Sequence, residues 1–193
     1  MVSAILAKAL GADYWKPVQA GTEDTTDSEW IEQFLASPNV VHPEVYRLQL
    51  AASPHIAAMN EKKQIEIRRI LQNLPRTPRP LIIEGAGGLL VPLNENEFVI
   101  DLAIALNCKV ILVSRNYLGS INHSLLTARV CREAGLDVAG WIFNDRYMDY
   151  EDEVAAWSGY PKIASIAHAE GINASFICTQ ALSMKEKLLQ QLC

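Results

Sequence analysis

The sequence predicts an α/β fold: a doubly wound, mostly parallel sheet with helices on both faces. Two observations predict it. First, Leu81-Ile82-Ile83, Val110 to Val113 and Val138 to Phe143 are continuous apolar runs, each short and bounded by polar or glycine-containing turns. Continuous rather than alternating hydrophobicity suggests strands buried on both faces, as in parallel sheets. Second, helical patterns lie between these runs, so strands and helices alternate along the chain.

Taken in order, residues 1–10 read as a helix with no strand before it, as though the chain began inside a βα unit. Ala12 to Val18 reads as a strand broken by Pro17, and Ser28 to Ala36 as a helix with Asp27 as its N-cap. Lys62 to Leu74 is an amphipathic helix, and Thr77-Pro78-Arg79-Pro80 a stiff entry to the strand that follows. Phe98 to Leu106 and His123 to Ala134 are helical, the second closed by Gly135. Ile163 to Ala167 is a last short strand, and Ser183 to Leu192 a C-terminal helix. There are no repeats, no low-complexity tract and no linker, so residues 1–193 are expected to form a single domain.

Half of the residues are apolar and 20% are charged, which is enough apolar material for a substantial core. The net charge of −5 argues against a nucleic-acid partner, which favours a basic patch. Cys108, Cys131, Cys178 and Cys193 are scattered, without metal-site spacing, and read as small hydrophobes in a reducing cytoplasm. The opening MVSAILAKAL resembles a signal-peptide core but lacks a basic leader and a cleavage site. No apolar run approaches the length of a membrane span.

Four clusters carry chemistry. Lys16 stands at the end of a buried strand, in Lys16-Pro17-Val18-Gln19-Ala20-Gly21. It either points into a crevice, where open α/β sheets bind ligands, or snorkels to the surface. Glu84 ends a second strand and is followed by Gly85-Ala86-Gly87-Gly88. Such a turn lets backbone N–H groups approach an anion, and the carboxylate suits Mg²⁺; a tight turn with a solvated glutamate is the alternative. Gly119-Ser120-Ile121-Asn122-His123 opens a helix whose N–H groups could attract a carboxylate, with Ser120 or Asn122 as an ordinary cap. Asn144-Asp145 ends a third strand, where the Asn144 amide could read a purine edge or simply make a turn. Asp27 is either a helix cap or a second metal carboxylate.

These clusters, with Ser53-Pro54-His55, occur in the order found in dethiobiotin synthases, and the chain resembles that family over essentially its whole length. The resemblance implies a P-loop α/β fold and a cytoplasmic homodimer. It implies an ATP-dependent ligase of biotin biosynthesis, which makes dethiobiotin from 7,8-diaminopelargonate, CO₂ and ATP. A substrate amine captures CO₂ as a carbamate, ATP phosphorylates it, and the second amine closes the ureido ring. Lys16 matches the catalytic lysine. Asp27 and Glu84 match the Mg²⁺ and nucleotide carboxylates, with Asp24 as a fallback for Asp27. Gly85, Ala86 and Gly87 lie against the phosphates, and Asn144, Asp145 and Ala167 match the base region. Ala20, Gly119, Ser120 and Asn122 match the region that holds the substrate.

There are departures from the family pattern. Ala20 replaces a serine of some members, and Ile166-Ala167-His168 stands where many have a proline. The family's GxxxxxGKT phosphate loop and the strand before it are absent from the 193 residues, and Met1 to Ile5 reads as the helix that follows that loop. The resemblance therefore places the first strand and the loop upstream of Met1. A shortened homologue that serves only as a binding or dimer partner is the alternative.

Overall fold

The computed structural model describes residues 1–35 and 37–192. The expected helix end at Ala36, and Cys193, lie outside the described residues. The chain divides into two compact units, Met1–Leu106 and Asn107–Cys193.

The first unit opens with α1 (Val2–Leu10), which ends on Gly11 in the left-handed conformation. Then come β1 (Asp13–Trp15), β2 (Val18–Ala20), α2 (Asp27–Glu32), β3 (Val41–His42) and β4 (Tyr46–Leu48). It closes with α3 (Pro54–Asn60), α4 (Ile67–Gln72), β5 (Leu81–Ile83) and α5 (Val99–Leu106). The strands form two parallel sheets, ordered β3-β1-β5 and β2-β4. The strand expected over Ala12 to Val18, broken by Pro17, is thus two strands that join separate sheets. Pro17 offers no N–H to a ladder, and its carbonyl instead accepts from the N–H groups of Val45 and Tyr46 at 2.9 and 3.0 Å. Trp15, Leu48, Ile65, Ile70 and Leu93 form the centre of this unit's core.

The second unit contains β6 (Val110–Arg115), α6 (Ser120–Glu133), β7 (Val138–Asn144), α7 (Glu151–Ser158), β8 (Lys162–Ile166) and α8 (Ala174–Leu192). Its sheet is parallel, in the order β6-β7-β8. The central strand β7 is buried through Ala139 to Phe143, as its continuous apolar run predicts. The same expectation does not hold for β6, which pairs β7 alone among the described residues and leaves Val113 half-exposed. Gly140 sits where β7 passes Pro161 closely: its φ is +145°, and a Cβ there would lie 2.4 Å from the Pro161 carbonyl oxygen.

Other boundaries also move. The helix expected over Lys62 to Leu74 is the shorter α4, and Lys62 lies outside it at a positive φ of 54°. The C-terminal helix begins at Ala174 rather than Ser183, and α6 at Ser120 rather than His123. The α/β class itself is as expected.

Asp13, at the start of β1, is fully buried. It accepts hydrogen bonds from Arg79 Nε at 2.7 Å, Thr77 Oγ1 at 2.6 Å and the Val40 N–H at 2.9 Å, and His42 Nε2 lies 3.3 Å away. Burial alone would raise its pKa, but these donors together hold the carboxyl well below the usual range. They come from the segments leading into β3 and β5, so one carboxylate fixes both neighbours of β1. Removing one partner of a buried pair typically costs about 3–5 kcal/mol. Asp13→Asn is therefore expected to lower the stability at pH 7 by about that amount in urea unfolding. A folded pKa below the unfolded value of about 3.9 gives stability that is present above that pH and lost as pH falls through the folded pKa. The gap between wild type and variant should accordingly narrow in acid below about pH 4.

Candidate functional site

In the first unit, Lys16, Asp27 and Glu84 come together. Lys16 follows β1 directly and Glu84 follows β5, strands that pair in parallel with Trp15 opposite Ile83. The Glu84 N–H continues that ladder by donating to the Trp15 carbonyl at 2.9 Å. Both side chains therefore emerge at the carboxyl edge of the sheet, where open α/β folds place ligands. Lys16 is buried rather than snorkelling to the surface. Its ammonium bonds Asp27 Oδ2 and lies 3.6 Å from Glu84 Oε1. A buried ammonium is costly unless paired, and here two carboxylates share the pairing.

Asp27 reaches Lys16 because it is not the cap of α2. Thr26 is the N-cap: its hydroxyl accepts from the Glu29 N–H at 3.3 Å, and Glu29 Oε2 accepts from the Thr26 N–H at 2.9 Å. This capping box leaves Asp27 at the first helical position with its carboxylate unspent. Glu29 is also bonded by Arg47 at 2.7 Å. That bond, with the Thr26 contacts, lowers its pKa to about 2. The N–H of Asp27 lies 3.4 Å from the Gln19 side-chain carbonyl. Asp24, the fallback, is exposed.

Two partners of Glu84 escaped the sequence reading. The Tyr14 hydroxyl donates to Glu84 Oε2 at 3.1 Å, and the Ser3 hydroxyl donates to the same oxygen. Burial, reinforced by the Glu84 charge, pushes the Tyr14 hydroxyl far above its ordinary pKa, so it remains a donor. A signal for Tyr14 exists: it lies two residues before Lys16, and period-two geometry puts both on one face of a strand. Ser3 carries no such signal.

Beyond Glu84 the chain turns through Gly85, Ala86 and Gly87. Gly87 has a φ of +86°, and a Cβ there would come within 2.9 Å of Val91. Among the described residues no group of three or more His, Cys, Asp or Glu side chains could hold a metal ion. Two carboxylates converging on one positive charge fit instead a hard cation that completes its shell with phosphate oxygens and water, as Mg²⁺ does.

The second unit holds the other candidates. Asn144 ends β7, with its Oδ1 buried and without a hydrogen-bond partner among the described residues. Asp145, at a φ of +59°, bonds Arg115 Nε at 2.5 Å and His168 Nδ1 at 2.9 Å. The His168 bond, aided by Arg115, lowers the Asp145 pKa. Ala167 follows β8 directly. Asn116 was not foreseen: its amide N–H₂ donates to buried Glu151 at 2.6 Å and to the Asp145 carbonyl at 3.1 Å. Gly119 is the N-cap of α6 and makes no side-chain cap, contrary to the cap expected from Ser120 or Asn122. Ser120 turns inward to Tyr150 Oη at 2.6 Å, and His123 Nδ1 meets Tyr117 Oη at 2.6 Å. Ala20 ends β2 in the first unit, and no hydroxyl stands there.

The fold is α/β, with the candidate residues at or near the ends of its parallel strands. A family model described as an AAA domain matches residues 1–175. A ParA family ATPase from Chlorobium tepidum has a similar fold, with a TM-score of 0.50 at 14% identity, covering 98% of this chain and 88% of that one. An ATP-dependent dethiobiotin synthetase of Cytophaga hutchinsonii is 46% identical over 187 residues, 95% of this chain and 89% of the relative. One from Brucella ovis is 46% identical over 142 residues, 73% of this chain and 66% of the relative. The chain belongs to the dethiobiotin synthetase family.

The capping box makes a prediction. Thr26→Ala should cost about 1 kcal/mol of stability in chemical unfolding, the usual loss for an N-cap. It should also loosen Asp27, read as increased hydrogen exchange at the start of α2.

Proposed function

We propose that this chain is an ATP-dependent cyclo-ligase that forms dethiobiotin from 7,8-diaminopelargonate and CO₂. The observation that carries the reading is Lys16, a buried ammonium held between two carboxylates at the carboxyl edge of a parallel sheet. Family membership names the substrates such a site would serve.

Phosphoryl transfer to a carbamate brings negative charge onto the transferring oxygens, and positioning with electrostatic stabilisation supplies most of its catalysis. Lys16 supplies a fixed positive charge, and its carboxylate partners hold the flexible side chain in one place. Asp27 and Glu84 would hold Mg²⁺, which neutralises phosphate charge when bound. The backbone of Gly85, Ala86 and Gly87 lines the approach to the phosphates, with glycine allowing close contact.

In the second unit, the free Asn144 Oδ1 suits the 6-amino group of adenine, a donor. Asp145 supports that strand end through Arg115 and His168 rather than offering a free acceptor. Ala167 contributes its backbone beside the base. At the start of α6, the N–H groups of Gly119 and Asn122 suit the substrate carboxylate, while the Ser120 N–H is spent on the Tyr117 carbonyl at 3.0 Å. Ala20 makes a backbone contact only. The family resemblance supports a homodimer in the cytoplasm.

The test is direct. Protein incubated with 7,8-diaminopelargonate, bicarbonate and Mg-ATP should yield dethiobiotin and ADP in equal amounts by mass spectrometry. Absence of both products would overturn the assignment. Lys16→Ala should lower turnover by at least about 10²–10³-fold, the scale of a lost electrostatic donor. Its melting temperature should stay close to wild type, since Asp27 remains half-exposed to water.

A further inference from the structure

We infer that Tyr14 and Ser3 make Glu84 a one-oxygen ligand and thereby bias its site toward Mg²⁺ over Ca²⁺. The inference rests on the metal role given to Glu84 under the proposed function.

The two oxygens of Glu84 have different surroundings. Oε2 accepts from the Tyr14 hydroxyl at 3.1 Å and from the Ser3 hydroxyl. Oε1 faces the Lys16 ammonium at 3.6 Å. The donors to Oε2 come from different elements. Tyr14 is fully buried in β1, in register with Ile82 of β5, so the sheet itself presents its hydroxyl. Ser3 stands in the first turn of α1, which packs on β1 and β5. Rotating the carboxylate to offer both oxygens would break both bonds, so only Oε1, which makes no hydrogen bond among the described residues and shares its charge with Lys16 at 3.6 Å, can turn to a cation.

Cation chemistry turns that asymmetry into selectivity. Mg²⁺ demands near-ideal octahedral geometry at about 2.0–2.1 Å and is bound by few protein oxygens. Ca²⁺ takes more oxygens at about 2.3–2.6 Å and readily accepts a carboxylate through both. A Glu84 tied back at Oε2 denies Ca²⁺ the two-oxygen mode. Tyr14 and Ser3 touch neither cation nor substrate in this scheme; they are positioning residues, acting through Glu84.

The experiment measures binding rather than turnover. Mn²⁺ bound to the protein in the presence of ADP is followed by electron paramagnetic resonance, and Mg²⁺ and Ca²⁺ compete for it. The wild type should bind Mg²⁺ in preference to Ca²⁺. In Tyr14→Phe, Mg²⁺ affinity should fall about tenfold or more, the scale of a lost outer-shell partner. Ca²⁺ affinity should hold or rise, so the Mg²⁺/Ca²⁺ preference falls at least as far. Ser3→Ala, which leaves the buried ring in place, should shift the preference in the same direction and carries the test if Tyr14→Phe fails to fold. An unchanged preference in the folded variants, or equal weakening of both cations as a packing defect would give, overturns the inference. Glu84→Gln separates this from failure of the metal role itself: if that variant binds Mn²⁺ as the wild type does, no cation sits on Glu84 and both readings fall.

Discussion

The first unit depends on a strand that carries a charge at each end. β1 is only Asp13–Trp15, yet it lies between β3 and β5 and is buried throughout. Its entry is the Asp13 carboxylate and its exit the Lys16 ammonium, and neither is tolerable in a buried position without partners. Asp13 is satisfied by Arg79, Thr77 and the Val40 N–H, drawn from the approaches to the two flanking strands. Lys16 is satisfied by Asp27 and Glu84, which are thereby gathered at the opposite edge. The demand to pair buried charge therefore orders the sheet at one end and assembles the candidate site at the other.

The same demand explains why the site acids are arranged as they are. Asp27 can serve Lys16 only because Thr26 and Glu29 take over the capping of α2. Glu84 can serve Lys16 through one oxygen because Tyr14 and Ser3 occupy the other. In each case a neutral hydroxyl does the structural task and leaves charge for the site. A site built this way is preorganised: its carboxylates are already oriented, so less rearrangement accompanies the binding of an anion or a cation.

Much of this was legible in the sequence, and the exceptions have physical causes. The apolar runs marked β5, β6 and β7, although only β7 is buried through its centre, and Lys16 and Glu84 stood out as charges at strand ends. The break read at Pro17 is present, but hydrophobicity does not reveal that the two halves join separate sheets. β3 and β4 are two and three residues long and carry no periodic signal. α7 has no counterpart in the sequence reading, and its first turn, Glu151, Asp152 and Glu153, is wholly acidic. That composition is also what favours a helix N-terminus, where the macrodipole welcomes negative charge. Asp27, the cap expected from the sequence, gives way to Thr26, whose T-x-x-E pattern with Glu29 is the capping-box signature.

The second unit repeats the division of labour with amides. Asn144 and Asp145 are adjacent, and sequence alone gave both to the nucleotide. Their surroundings separate them: Asp145 has its carboxylate taken by Arg115 and His168, and its carbonyl by Asn116. Asn116 is itself anchored to the buried Glu151, so the chain just past β7 is fixed from several sides. Asn144 alone of the two keeps a buried acceptor without a donor. A buried acceptor left unpaired is a cost of roughly 1–3 kcal/mol, which a ligand amine could remove on binding. Asp145 thus carries the support at this strand end, and the unpaired Asn144 oxygen is the acceptor that the proposed function gives to a ligand.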